Sequence, residues 1–106
     1  MSLIVRVYRA RVRPGREADY VALLEGQVLP AAHTTDGLAA FHIARRLDGP
    51  TTEFLIITVW RDRAAVEAVA GRDWHQPIFF TGEETLIEGF SIEHFEAIGT
   101  SASGSG

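Results

Sequence analysis

Phe54-Leu-Ile-Ile-Thr-Val-Trp60 runs directly into Arg61-Asp-Arg-Ala-Ala-Val-Glu-Ala-Val-Ala-Gly71. The first segment is nearly all apolar and rich in β-branched residues, so it reads as a strand. Asp62 then stands where a helix N-cap is expected, an Ala/Val helix follows, and Gly71 stops it. A strand this hydrophobic has no wet face, so both sides of its sheet need cover. The chain offers two helices, enough for one side. A second copy of the chain is the simplest cover for the other.

Working outward, residues 3–12 alternate and end at Pro14-Gly15, which reads as a strand followed by a turn. Tyr20, Leu23, Leu24 and Val28 recur at helical spacing over 16–29, with Glu17 and Asp19 in the first turn and Pro30 as the expected boundary. Asp36-Gly37 marks a turn, 38–47 a second strand and Asp48-Gly49-Pro50 another turn; 53–60 is the third strand. Residues 72–88 read as irregular with a helical turn near Glu83–Ile87, Phe90–Ile98 as a fourth strand, and 99–106 as a flexible Gly/Ser tail. One domain, 1–98, therefore has the order strand-helix-strand-strand-helix-strand. That is the α+β, ferredoxin-like split βαβ arrangement, a four-stranded antiparallel sheet with both helices on one face.

Alternation divides each strand into two sets. Leu55, Ile57 and Val59 suit the helix side. Phe54, Ile56, Thr58 and Trp60 then share the other face with Ile4, Arg6 and Tyr8, with Ala40, His42 and Ala44, and with Phe90, Ile92, His94 and Glu96. An apolar face of this size predicts a homodimer with sheets face to face. Its mixture of large apolar and few polar groups suits a cavity between the two packed sheets.

Composition removes several chemistries. All 10 basic residues are arginine, which excludes a lysine Schiff base, and there is no cysteine for a thiol nucleophile or thiolate metal site. Net charge −4 gives no footprint for nucleic acid. No histidine pair has metal-motif spacing, so no metal is expected. No Gly-x-Gly-x-x-Gly fingerprint or phosphate-cradling loop occurs, so no flavin or nicotinamide is expected. The N-terminus carries no secretion signal and no apolar run approaches the roughly 20 residues of a membrane span, so a cytoplasmic protein without membrane contact is the expectation.

The segments Val5-Arg-Val-Tyr-Arg-Ala-Arg-Val-Arg-Pro-Gly15, Gly37-Leu-Ala-Ala-Phe-His42, Thr58-Val-Trp60, Ala-Val-Ala-Gly-Arg-Asp-Trp74 and Glu93-His-Phe-Glu96 together resemble the antibiotic biosynthesis monooxygenase family of dimeric α/β barrels. The resemblance spans residues 3–98. It implies a cofactor-free monooxygenase acting on an aromatic, polyketide-like or quinonoid small molecule; an isomerase or cyclase on the same fold stays open. The family's heme-degrading branch combines a first-strand asparagine, a tryptophan ending the third strand and an iron-ligating histidine after the second helix. Trp60 matches, His75 is a candidate for the histidine, and the chain contains no asparagine. Heme binding through His75 is thus the alternative, and a non-enzymatic small-molecule-binding dimer a third reading.

Candidate residues follow from side-chain chemistry. His94 or His42 would deprotonate a phenol or enolisable ketone, an imidazole being matched to that transfer near neutral pH. Tyr8 and Arg6 would stabilise the anion. Trp60, Thr58, Phe54 and Phe90 would line the substrate site. Strand order in this fold puts His94 beside Arg6 and Tyr8, with His42's strand at the far edge. Arg9, Arg11 and Arg13 read as a solvated basic edge.

Overall fold

The computed structural model describes residues 2–99. The strands are β1 (Ile4–Val12), β2 (Leu38–Arg45), β3 (Glu53–Trp60) and β4 (Ile87–Glu96), and the sheet order is β2-β3-β1-β4, antiparallel throughout. β4 begins three residues earlier than Phe90, because Val12 pairs with Ile87 across a register shift. The 99–106 tail, apart from Gly99, lies outside the described residues.

Between β1 and β2 the chain forms α1 (Glu17–Leu23), a wide π-turn (Leu24–Val28) and α2 (Leu29–Thr34). Helical structure therefore continues past Pro30, where a boundary was expected. Proline lacks an N–H and its ring clashes with the carbonyl four residues back in a regular helix. The π-turn, in which Leu29 N–H donates to Leu24 O, loosens that spacing just ahead of the proline. Pro30 then sits in the first turn of α2, where a missing donor costs least. Helix α3 (Arg63–Ala70) starts as the sequence implies: Asp62 accepts from Ala65 N–H at 2.9 Å, and Gly71 ends it at φ +95°. Gly37 has φ +83°, and a Cβ there would lie 2.6 Å from the Ala65 side chain, so glycine lets α3 dock against the turn before β2.

The main core lies between sheet and helices. Tyr8, Ala10 and Phe54 of the sheet meet Tyr20, Leu23 and Leu24, with Leu86 and Ile87 closing one end. Trp60, Ala65 and Val66 form a second cluster beneath α3. This reverses the expected face assignment. Phe54, Ile56, Thr58 and Trp60 share the helix side with Arg6, Tyr8, Ile92 and His94, while Leu55, Ile57 and Val59 face away with Val5 and Val7. Both alternation sets of β3 are apolar, so periodicity separates them without saying which one the helices cover; a one-residue phase error inverts everything.

His42 changes partners as well. In the β2–β3 register Phe41 pairs with Thr58, His42 with Ile57 and Ile43 with Ile56. His42 is exposed on the helix-free face, opposite to His94. The connection at residues 46–52 fixes this register, and alternation within β2 carries no record of it. No helix among the described residues is long and apolar enough to cross a membrane.

Candidate functional site

A cavity of about 100 Å³ opens between the sheet and the helices, not between two sheets as expected, because the face that carries its floor is the one the helices cover. Its floor is Tyr8, Ile56, Thr58 and Trp60; its roof comes from α2 (Ala31, Ala32), from Thr35 just past its end, and from Val69 of α3. Ile78, Phe80 and Glu83, from the segment joining α3 to β4, close one side. Small side chains at Ala31 and Ala32 leave the space that the large floor residues do not fill. Polar groups enter at five sites: Arg6, Tyr8, Thr35, Thr58 and Glu83.

Arg6 is 3% exposed, an unusual place for a charged side chain. It is held by three acceptors. Nη1 donates to the Trp74 carbonyl and to His94 Nε2 (2.9 Å), and Nη2 donates to the Gln76 carbonyl at 2.7 Å. Burial lowers its pKa, yet a guanidinium keeps its charge in proteins. Arg6 thus ties the 74–76 backbone to β1 and brings a fixed positive charge to the cavity wall.

His94 lies next to Arg6, as the β1–β4 register requires, but it does not line the cavity. Because arginine can only donate, Nε2 is the acceptor and Nδ1 carries the hydrogen. Nδ1 is buried without a partner. The indole of Trp74 stacks on the ring at 3.9 Å and 6°, and Arg63 lies over that indole at 4.1 Å. Desolvation first, then the charge of Arg6, lowers the His94 pKa to about 4. An imidazole so placed is neutral and its lone pair is engaged. The geometry makes His94 a holder of Arg6.

Trp60 is 3% exposed, lines the cavity, and donates from Nε1 to Thr58 Oγ1 at 2.7 Å. Phe54 lies deeper, edge-on to Tyr20 at 5.0 Å, and Phe90 is 47% exposed beside Tyr8 and Phe79; neither lines the cavity. Of the residues singled out from sequence, Arg6, Tyr8, Thr58 and Trp60 share one space. His42, Phe54, Phe90 and His94 stand outside it.

Sequence reasoning missed Glu83. It is 1% exposed, and its Oε2 accepts from Tyr8 Oη (3.0 Å) and Tyr20 Oη (2.9 Å), while Oε1 accepts from Phe80 N–H (3.1 Å). Burial, followed by the charge of Glu83, raises the pKa of both phenols. One of two adjacent glutamates in an irregular segment offers no sequence signal. The only hint is its three-residue spacing from buried Leu86 across the short 3-10 turn Glu83–Thr85.

The heme alternative does not fit. The His75 side chain is 66% exposed, faces Asp73 at 3.6 Å and lies outside the cavity, which is too small for a tetrapyrrole.

Comparison with known proteins adds the lineage. The profile of the family described as antibiotic biosynthesis monooxygenase matches residues 3–77. No curated protein sequence matches significantly. Among solved structures, a Nitrosomonas europaea protein of unknown function aligns with TM-score 0.76 and 22% identity, covering 96% of this chain and 95% of its own. PA3566 from Pseudomonas aeruginosa aligns with TM-score 0.75 and 19% identity over 93% and 97%. SnoaB from Streptomyces nogalater, a cofactor-independent oxygenase solved in a mutant form, aligns with TM-score 0.73 and 20% identity over 94% and 97%. At these identities the likeness establishes the shared fold.

Proposed function

The chain belongs to the antibiotic biosynthesis monooxygenase family, and from that premise we propose that it is a cofactor-independent oxygenase of a small phenolic or quinol substrate. The observation that carries this reading is the cavity: apolar walls including an indole, with a buried guanidinium and a buried phenol at its margin. Such a space takes a flat aromatic molecule and offers its oxygen substituent a phenol oxygen to hydrogen-bond with and a positive charge. SnoaB, with the same fold, is a cofactor-independent oxygenase, which supports the reading. An engineered apolar cavity of about 150 Å³ binds benzene. A space of about 100 Å³ is smaller than that, so it holds at most one ring, and any further rings project outward.

In this reading the phenol loses its proton in the cavity and the anion gives an electron to dioxygen. The radical pair couples at carbon to form a peroxide. Loss of the C–H proton and cleavage of the O–O bond leave a new carbonyl, and the second oxygen departs as water. The substrate supplies all four electrons, so no redox cofactor enters the balance. Arg6 stabilises the phenolate, Trp60 and Thr58 hold the ring, and His94 keeps Arg6 in place.

The same proposal includes a homodimer. Val5, Val7, Leu55, Ile57 and Val59 occupy the helix-free face, with Phe95 51% exposed beside Val5. A second sheet covers that surface, so the cavity and the dimer interface use opposite faces.

The test is oxygen uptake with a panel of single-ring phenols and quinols, followed by mass spectrometry of products formed under ¹⁸O₂. Uptake with one heavy atom incorporated supports the proposal. Saturable binding of the same compounds, with no uptake and no label, refutes it in favour of a binding protein.

A further inference from the structure

We propose that Glu83 is the terminal proton acceptor of the site, reached through Tyr8 and adjusted by Tyr20. This rests on the oxygenase reading and supplies the base that His94 and His42 are not placed to be.

A buried carboxylate is costly unless a cation pairs with it. Among the described residues no arginine or histidine forms a salt bridge with Glu83. Its three partners are two phenols and a backbone N–H, all donors. A purely apolar packing solution needs none of them. Moreover, Glu83 lines the cavity together with Tyr8, whose hydrogen points at Glu83; with the Tyr20 hydroxyl close by, one lone pair of Tyr8 Oη is left to accept. A substrate hydroxyl donating to Tyr8 Oη completes a two-bond chain.

Each transfer balances. The substrate O–H breaks as a new O–H forms on Tyr8 Oη, while the former Tyr8 O–H breaks and a bond to Glu83 Oε2 forms. The net result is a substrate anion and a protonated Glu83; this proton later returns to the peroxide oxygen that leaves as water. Burial and Glu83 raise the Tyr8 pKa, so Tyr8 does not lose its proton alone. It relays only as another proton arrives. The titratable groups facing Glu83 are Tyr8 from β1 and Tyr20 from α1. Arg6, two residues from Tyr8 on the same face, is engaged by Trp74, Gln76 and His94.

The experiment compares wild type, Glu83→Gln and Tyr20→Phe in steady-state oxygen uptake from pH 4 to 9, with fold checked by circular dichroism. Glu83→Gln removes the basic oxygen and is expected to lower kcat about 10²–10⁴-fold, with KM within about threefold. It also places an NH2 group opposite either Phe80 N–H or the two phenol donors, so it risks the fold. Tyr20→Phe keeps the base and removes one donor to its charged form, which moves the acid limb of kcat/KM to higher pH. A merely structural role leaves that limb in place. A Tyr20→Phe profile superimposable on wild type overturns the relay, as does a folded Glu83→Gln enzyme within about threefold of wild-type kcat, while the oxygenase reading stands. Absence of uptake by wild type with every phenol overturns both.

Discussion

Arg6→Met is the perturbation that most directly interrogates how the site is held. Methionine replaces the aliphatic stem of arginine, and it spares the cost of desolvating a cation. What disappears is the tie between β1 and the 74–76 backbone. The Gln76 carbonyl belongs to an exposed residue and regains a hydrogen bond from water. The Trp74 carbonyl and His94 Nε2 are less accessible, and each loses a charge-assisted bond. Such bonds contribute about 1.5–3 kcal/mol apiece, and the recovered desolvation offsets part of the loss. The expected net cost is about 2 kcal/mol, or roughly 8–16 °C in Tm for a domain of this size. Urea unfolding measures the free energy, and hydrogen exchange with mass spectrometry locates it. Exchange is expected to rise first in residues 72–80, because that segment has few backbone ladder bonds of its own. A loss below about 0.5 kcal/mol with unchanged exchange there would refute the clamp.

Three further outcomes are expected. Ile57→Glu places a charge at the centre of the helix-free face, so light scattering should report dimer for wild type and monomer for the variant, with the far-UV spectrum retained; a monomeric wild type at micromolar concentration rejects the face-to-face dimer. Trp60→Ala removes a side chain that is 3% exposed and touches Ala65 and Val66, so stability should fall by about 3–5 kcal/mol and aromatic-ligand affinity should fall; a loss under about 1 kcal/mol means the indole is not packed as described. The folded-state pKa of His94 is lowered to about 4 from 6.5, so the unfolded chain binds more protons between those values. Its contribution to stability is present above pH 6.5 and is lost as pH falls toward 4. Proton NMR should find the imidazole titrating near pH 4, and a midpoint at or above 6 would contradict the Arg6 contact.

The elements were legible in the sequence because local chemistry decides them. Asp62 and Gly71 delimit α3, the Tyr20/Leu23/Leu24 spacing marks the buried stripe of α1, and β-branched runs mark the strands. Membership of the family rests on the same local pattern. The π-turn ahead of Pro30 was not legible, since it is a compromise between a proline ring and a helix that tertiary packing prolongs.

The sequence by itself determined which residues travel together: Arg6 with Tyr8, and Phe54 with Ile56, Thr58 and Trp60, follow from a period of two that no fold can change. Only the tertiary structure decided where each set goes. β3 is apolar on both faces, so burial energy hardly distinguishes them within one strand; the choice is made by the helices that dock. The odd-sum register of β2 against β3 sent His42 to the opposite face from His94. The meeting of Glu83 with Tyr8 and Tyr20, separated by 75 and 63 residues, depends on the chain's return past β1 and α1. Contacts over such separations leave no local trace, because the free energy that forms them belongs to the assembled layers.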